Sequence, residues 1–209
     1  MSCFSARLFA WLQGADFYEG LHRAAVEQLS PGHGKTWLDV GCGPGLLTRL
    51  AAARGYASVG IDLDHHMIRI ARRLAAREAS HATFRTGDVL QPGASQRQAD
   101  VVSAASLLAV VKDTSAALDQ LIRCLRPGGK LLIVEPTAQL TVQAAKRLSD
   151  DGALGHRSWG LRMWARAREG KTIDPQLFCS LPHEVERIDL LHGLVAAWVV
   201  HVPDLLPAK

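Results

Sequence analysis

Along most of the chain, short apolar runs alternate with stretches whose apolar residues recur every three or four positions, and glycine, proline or an acid marks each change of period. Thr36–Val40, Ala57–Asp62, Asp100–Ala104 and Lys130–Pro136 read as strands, and ATFRTGDVL supplies another strand with its turn. Helices are predicted between them from three apolar faces. These are Leu46, Leu47, Leu50 and Ala51, closed by Gly55; Met67, Ile68, Ala71 and Leu74; and Leu118, Leu121, Ile122 and Leu125. Asp64 and Asp113 stand just before the second and third and predict N-caps. KLLIVEP is apolar on both alternating faces, as a strand covered on both sides should be. The alternation predicts an α/β fold with a parallel sheet. Upstream, residues 4–29 read as two short helices, the second stepping through Phe17, Leu21, Ala25 and Leu29. Downstream, the apolar run Leu190–Val202 is broken by His192 and Gly193, which predicts a hairpin of Val185–Leu191 and Val195–Val202.

Composition narrows the class. With 209 residues, 48% hydrophobic and 21% charged, the chain is expected to form one domain around one core. Its parts read as an N-terminal helical cap at 1–29, a core at 30–136, an inserted cap at 137–182 and a closing hairpin at 183–202. The formal charge is +4, with Lys and Arg dispersed except between 146 and 171, so charge does not argue for nucleic acid. No stretch reaches the ~20 apolar residues that span a bilayer. Met1–Leu12 is interrupted by Arg7 and lacks the apolar core of a signal peptide. Cysteines 3, 42, 124 and 179 are far apart, which indicates neither a disulfide scaffold nor a zinc site, and reduced thiols imply the cytoplasm.

The chemistry gathers where the first strand breaks. Asp39 is followed by Gly41, Gly43 and Gly45, and glycine there allows positive φ and close approach of backbone to a ligand. The spacing is G-x-G-x-G, not the G-x-G-x-x-G of dinucleotide folds. Asp39, Asp62 and Asp88 fall at or just past the ends of three successive strands, and such a set repels a pyrophosphate while suiting a cationic nucleoside. An NAD-dependent oxidoreductase is thereby disfavoured. Asp62 follows the glycine turn by about 20 residues, where an α/β nucleoside fold places the carboxylate that accepts the ribose hydroxyls.

Five blocks in register, WLDVGCGPGLLT, VGIDLDHHMI, FRTGDVL, ADVVSAASLLAVVKD and LIRCLRPGGKLLIVEP, resemble the class I S-adenosylmethionine-dependent methyltransferases, in particular the small-molecule ubiquinone and menaquinone branch. The resemblance covers residues 30–136 and implies a Rossmann-like seven-stranded sheet with an antiparallel strand near the C-terminus and S-adenosylmethionine as cofactor. It implies that Asp88 takes the adenine amino group, that Val89 offers its amide to the ring and that Leu63 covers one ring face. Asp39, Gly41, Cys42, Gly43, Gly45, Asp62 and Ala105 complete the cofactor set, with Tyr18 or His22 at the methionine end.

The acceptor is expected to be a small molecule. Ser103-Ala104-Ala105-Ser106 lacks the Asn or Asp, prolines and aromatic with which the family's amino methyltransferases clamp a base. At about 100° per residue, Trp159, Met163, Trp164 and Ala167 fall on one side of a helix. Arg157, Arg162, Arg166 and Arg168 fall on the other, with Leu161 and Ala165 as exceptions. This reads as a cap helix: Trp159, Met163 and Trp164 roof a pocket or pack as core, and the Arg face is solvated or makes weak contact with an anionic lipid surface. Glu135 ends the fifth strand as a substrate-side candidate, and Tyr18, His22, Glu135 and His156 are the candidate bases. No metal is expected, because no Asp-Asn-His cluster of the catechol type can be read from the spacing and the adjacent His65 and His66 diverge on a helix. A non-catalytic S-adenosylmethionine-binding protein on the same scaffold is the alternative.

Overall fold

In the computed structural model, residues 11–88, 99–152 and 154–204 are described. One sheet of seven strands runs in the order β3-β2-β1-β4-β5-β7-β6. The strands are β1 (Thr36–Val40), β2 (Ala57–Asp62), β3 (Thr83–Thr86), β4 (Ala99–Ala105), β5 (Leu125–Pro136), β6 (Glu184–Leu190) and β7 (Val195–His201). Parallel pairing holds from β3 across to β5, and β7 is antiparallel to both β5 and β6. The predicted hairpin is present, its turn carried by positive φ at Leu191, His192 and Gly193. β5 begins at Leu125 instead of Lys130, because Leu125 pairs with Ala99 before the register shifts at Ala99/Val101.

The helices are α1 (Asp16–Glu27), α2 (Leu46–Ala53), α3 (His65–Arg77), α4 (Thr114–Arg123), α5 (Val142–Asp150), α6 (Gly160–Arg168) and the short α7 (Gln176–Cys179). Asp64 and Asp113 cap α3 and α4 by accepting from His66 N and Ala116 N. Of the two N-terminal helices expected, the second is α1, and most of the first lies outside the described residues.

Alternation along the strands sorts the core into two layers. Leu132 and Val134 of β5 join Trp37, Val101 and the buried faces of α1, α2 and α6, while Leu131 and Ile133 join Leu38, Val102 and the α4 residues Leu118 and Leu121. A smaller cluster seats α3 on β3 through Ile68, Ala71, Ala75 and Phe84. The strand order reverses between β1 and β4, so the carboxyl ends of β1, β2 and β4 open on one crevice, where open α/β sheets bind ligands.

Gly45 marks the tightest contact behind that crevice: at φ +79°, a Cβ there would lie 2.3 Å from the Phe84 ring and 3.1 Å from Ala71 Cβ. Gly34 has a similar φ of +85° with nothing within 4 Å. We expect Gly45→Ala to cost about 3 kcal/mol, overpacking added to backbone strain, and Gly34→Ala about 1 kcal/mol from strain alone. Urea denaturation of both variants checks this; equal losses would mean that the Phe84 contact relaxes freely.

Candidate functional site

The glycine turn is pinned from below and from one side. Gly41 and Cys42 both donate their amides to Ile61 O, at 2.8 and 3.0 Å. Gly43 N then donates to Asp62 Oδ2 at 2.9 Å, and Asp64 N to Asp62 Oδ1 at 2.8 Å. Each Asp62 oxygen thus spends one lone pair on backbone and keeps another for a ligand, since a carboxylate oxygen accepts two hydrogen bonds. The carboxylate is fixed in place at the mouth of the crevice.

Asp39 plays a different part. It is 1% exposed, and its Oδ2 accepts from Thr48 Oγ1 at 2.6 Å while Oδ1 accepts from Ser103 Oγ at 2.8 Å. Ser103 Oγ accepts in turn from Trp37 Nε1 at 2.8 Å. Burial pushes the Asp39 carboxyl up to about 6, against the pull of the two hydroxyls.

Over this floor lies a cleft of about 470 Å³, lined by Gly41, Gly43, Asp62, Asp64 and Ala105 below and by Met163, Trp164, Ala167, Arg168 and Lys171 on the cap side. A pocket of about 20 Å³, sharing Gly41 and Ala105 with the cleft, runs inward between Asp39, Cys42, Gln13, Tyr18 and His22. A cavity of similar size, about 400 Å³, opens at the amino-terminal halves of β1 and β2, but its lining carries no acid and no base besides His81. Charge rather than volume selects the crevice.

α1 and α6 meet above the inner pocket. Tyr18 packs edge-on to Trp164 at 5.2 Å and over His22 at 4.4 Å. Burial drives the Tyr18 phenol far above its ordinary range. His22 is held down to about 4 by burial, and as a neutral ring its Nδ1–H donates to Tyr18 O at 2.7 Å, leaving Nε2 as an acceptor. Tyr18 also hydrogen-bonds the side chain of Ser106, which sits in the left-handed region at φ +56°. A buried non-glycine residue in that region stores strain, and here it borders the cleft.

The predicted residues are distributed as follows. Asp62, Gly41, Gly43, Ala105, Met163 and Trp164 line the main cleft, and Asp39, Cys42 and Tyr18 line the inner pocket. Leu63 is 69% exposed beside Asp62 and lines neither cavity. Asp88 is half-buried two residues past β3 and borders neither cavity; Val89 lies outside the described residues. Gly45 faces Phe84, so its missing Cβ serves helix packing.

Several expectations are corrected. Trp159 does not roof the cleft: it precedes α6, is 52% exposed and stacks on Trp11 at 4.5 Å. The side of α6 that packs inward is Gly160, Leu161, Trp164 and Ala165, which rotates the expected wheel and brings the half-buried Arg168 to the cleft. Arg157 likewise leaves the solvated face, donating to Trp11 O at 2.8 Å. Glu135 is fully buried behind the cleft, its Oε1 accepting from Leu108 N at 2.7 Å, so it fixes the turn after β4 and lines neither cavity. His156 is exposed and lines neither cavity. The rings of His65 and His66 do not diverge but lie 3.9 Å apart, and with Asp64 they bring three ligand atoms within 4.8 Å. Arg69 Nη2 stands 2.9 Å from His66 Nδ1, however, and a guanidinium at that nitrogen opposes a cation.

Gln13, Ser106, Arg168 and Lys171 join the cavity walls although none was expected at the site. The available signal was the spacing of Leu161, Trp164, Ala165 and Arg168, which repeats at three, four and seven and places an arginine on a buried face.

The sheet order and the crevice at its switch point define the class I methyltransferase fold. A family model described as a methyltransferase domain matches residues 14–184, and the chain belongs to the S-adenosylmethionine-dependent methyltransferase family. It is 33% identical over 127 residues to the nocamycin O-methyltransferase of Saccharothrix syringae, covering 59% of this chain and 45% of that protein. It is 33% identical over 137 residues to the ubiquinone biosynthesis O-methyltransferase of Idiomarina loihiensis, covering 61% and 56%. The chain thus spans about half the length of the curated relatives it matches. Among solved structures, a putative S-adenosyl-L-methionine-dependent methyltransferase from Methanococcus maripaludis aligns with TM-score 0.70 at 16% identity, over 99% of this chain and 96% of that one. The magnesium protoporphyrin IX methyltransferase of Synechocystis, solved with bound S-adenosylhomocysteine, aligns with TM-score 0.62 at 17% identity, over 95% and 94%. No helix among the described residues is long and apolar enough to cross a membrane.

Burial lifts the Glu135 carboxyl from 4.5 to about 7. Between those values the folded state keeps a proton that the unfolded state has released, so this group lowers stability progressively as pH rises through the window. Glu135→Gln cannot release a proton. Its stability relative to wild type, followed by urea denaturation, should therefore increase from pH 4.5 to 7 and level off above; a difference independent of pH would refute the buried-acid account.

Proposed function

We propose that the chain transfers the methyl group of S-adenosylmethionine to a small-molecule acceptor. The observation that carries this reading is Asp62, locked by Gly43 N and Asp64 N at the mouth of an acid-lined crevice beside an exposed Leu63. In this reading Asp62 accepts the ribose hydroxyls, Leu63 covers the adenine and the glycine turn lies under the nucleoside. Asp88 and Val89 remain the candidates for the adenine edge.

The inner pocket fits the ammonium of the methionine tail. Gln13 Oε1 is buried without a partner among the described residues, and the Nε2 of neutral His22 and the Asp39 carboxylate are also acceptors. A pocket of about 20 Å³ admits a group of that size, since a water needs ~10–15 Å³ by the same measure.

The cofactor supplies a sulfonium-activated methyl group. The chain's own work is then to hold two reactants in line and keep water out. Tyr18 stays protonated, His22 is too weak a base near neutrality, and Glu135 is sealed away, so positioning rather than proton abstraction is the contribution these groups make. The O-methyltransferase names of the two relatives agree with a small-molecule acceptor.

Transfer of isotope-labelled methyl from S-adenosylmethionine into a metabolite extract tests the activity. Tight S-adenosylhomocysteine binding with no labelled product would favour the non-catalytic reading. Asp62→Ala should weaken S-adenosylhomocysteine binding by about 2 kcal/mol, roughly 30-fold, measured by calorimetry on a variant whose thermal melt shows it folded. An unchanged dissociation constant, or wild-type protein preferring NADH, would remove the cofactor assignment.

A further inference from the structure

The main cleft is electrically two-sided. Asp62 and Asp64 line it at the carboxyl end of β2, and Arg168 and Lys171 line it at the carboxyl end of α6 and just beyond. Arg168 is partly exposed, but its guanidinium turns back toward the protein. Its Nη2 donates to Ser106 O at 3.1 Å, and its Nη1 is buried with no acceptor among the described residues. One turn earlier on the same helix, Trp164 is 3% exposed and its Nε1 is also buried without a partner. Four residues apart, the two donors share a helix face, and both residues line the cleft.

Buried donors are nearly always paired in proteins, and these two belong to residues of one cavity wall, where a ligand could supply the missing acceptor oxygens. The surroundings limit what that ligand is. Leu12, Leu107, Val110 and Met163 make the adjoining wall apolar. Ser106, strained at φ +56°, gives its carbonyl to Arg168 and its side chain to Tyr18, which fixes the guanidinium against the sheet.

We propose that this wall recognises the methyl acceptor through a carboxylate: the acceptor is an apolar small molecule carrying one carboxylate group, bound by Arg168 and Trp164. The inference rests on the methyl-transfer reading above. A carboxylate offers two oxygens to the two donors and one negative charge to the guanidinium. A dianionic phosphate would face Asp62 and Asp64 across the same cleft, and Glu135 behind it, and is disfavoured by that repulsion. The two-sided charge keeps the ligands apart, the cationic nucleoside at the acids and the anionic acceptor at the cap.

The test uses 4-methylbenzoate and its neutral isostere 4-methylbenzamide as probes, titrated by calorimetry into the protein with and without S-adenosylhomocysteine. The benzoate should bind at least tenfold more tightly than the amide. Arg168→Gln should remove that preference while leaving S-adenosylhomocysteine affinity within about twofold. Trp164→Phe, which keeps the ring against Tyr18 and deletes the N–H, should weaken benzoate several-fold and the amide less, since a neutral carbonyl is the weaker acceptor. Thermal melts establish that both variants fold. Equal binding of the two probes by wild type overturns the proposal. So does a loss of S-adenosylhomocysteine affinity in Arg168→Gln as large as the loss for benzoate, because the pair would then belong to the cofactor's own carboxylate. Selective benzoate binding by a wild type that never binds S-adenosylhomocysteine would instead sink the methyl-transfer reading, and the acceptor role with it.

Discussion

Asp39 sits at the end of the central strand with a carboxylate that solvent does not reach, and the crevice is assembled around the way that charge is satisfied. Thr48, from the helix after the glycine turn, takes one oxygen, and Ser103, from the neighbouring strand, takes the other. Trp37 Nε1 completes the chain through Ser103. A buried carboxylate without such partners is strongly destabilising, so this network ties β1, β4 and α2 into one arrangement at the point where strand order reverses. The glycine turn is then suspended between two acids, Asp39 beneath and Asp62 beside it, and its geometry follows from both.

The cap wall depends on a second buried acid. Glu135 accepts backbone amides of the turn that follows β4, and that turn carries Ser106 in its left-handed conformation. Ser106 in turn links α1, through Tyr18, to α6, through Arg168. The acidic side of the cleft is displayed by the end of β2, and the position of the basic side on α6 depends on the turn that follows β4. Glu135 and Asp39 are both buried and serve as anchors, one for the turn after β4 and the other for the junction of β1, β4 and α2.

Much of the fold was legible in sequence because the patterns are local. Strand runs, helix periods, the Asp64 and Asp113 caps and the break at His192-Gly193 each act over a few residues, where propensity and burial agree. Asp62 could be placed for the same reason: its distance along the chain from the glycine turn is fixed by one helix and one strand. The cap helix could not be oriented that way. Its wheel has apolar residues on two sides, and the choice of Leu161 and Ala165 over Trp159 as the inward face was made by contact with α1 and the N-terminal segment. Gly45 shows the same limit, since only Phe84, far along the chain, reveals that its role is packing.

By itself the sequence determined the order of elements, the class of sheet and the acids at the ends of its strands, because hydrophobic period and turn chemistry are properties of neighbouring residues. Only the tertiary structure decided which of those groups face the cleft. It sealed Glu135, turned Trp159 out and drew Arg168 in, because burial and pairing of a polar atom depend on residues that meet only once the sheet and its cap have packed.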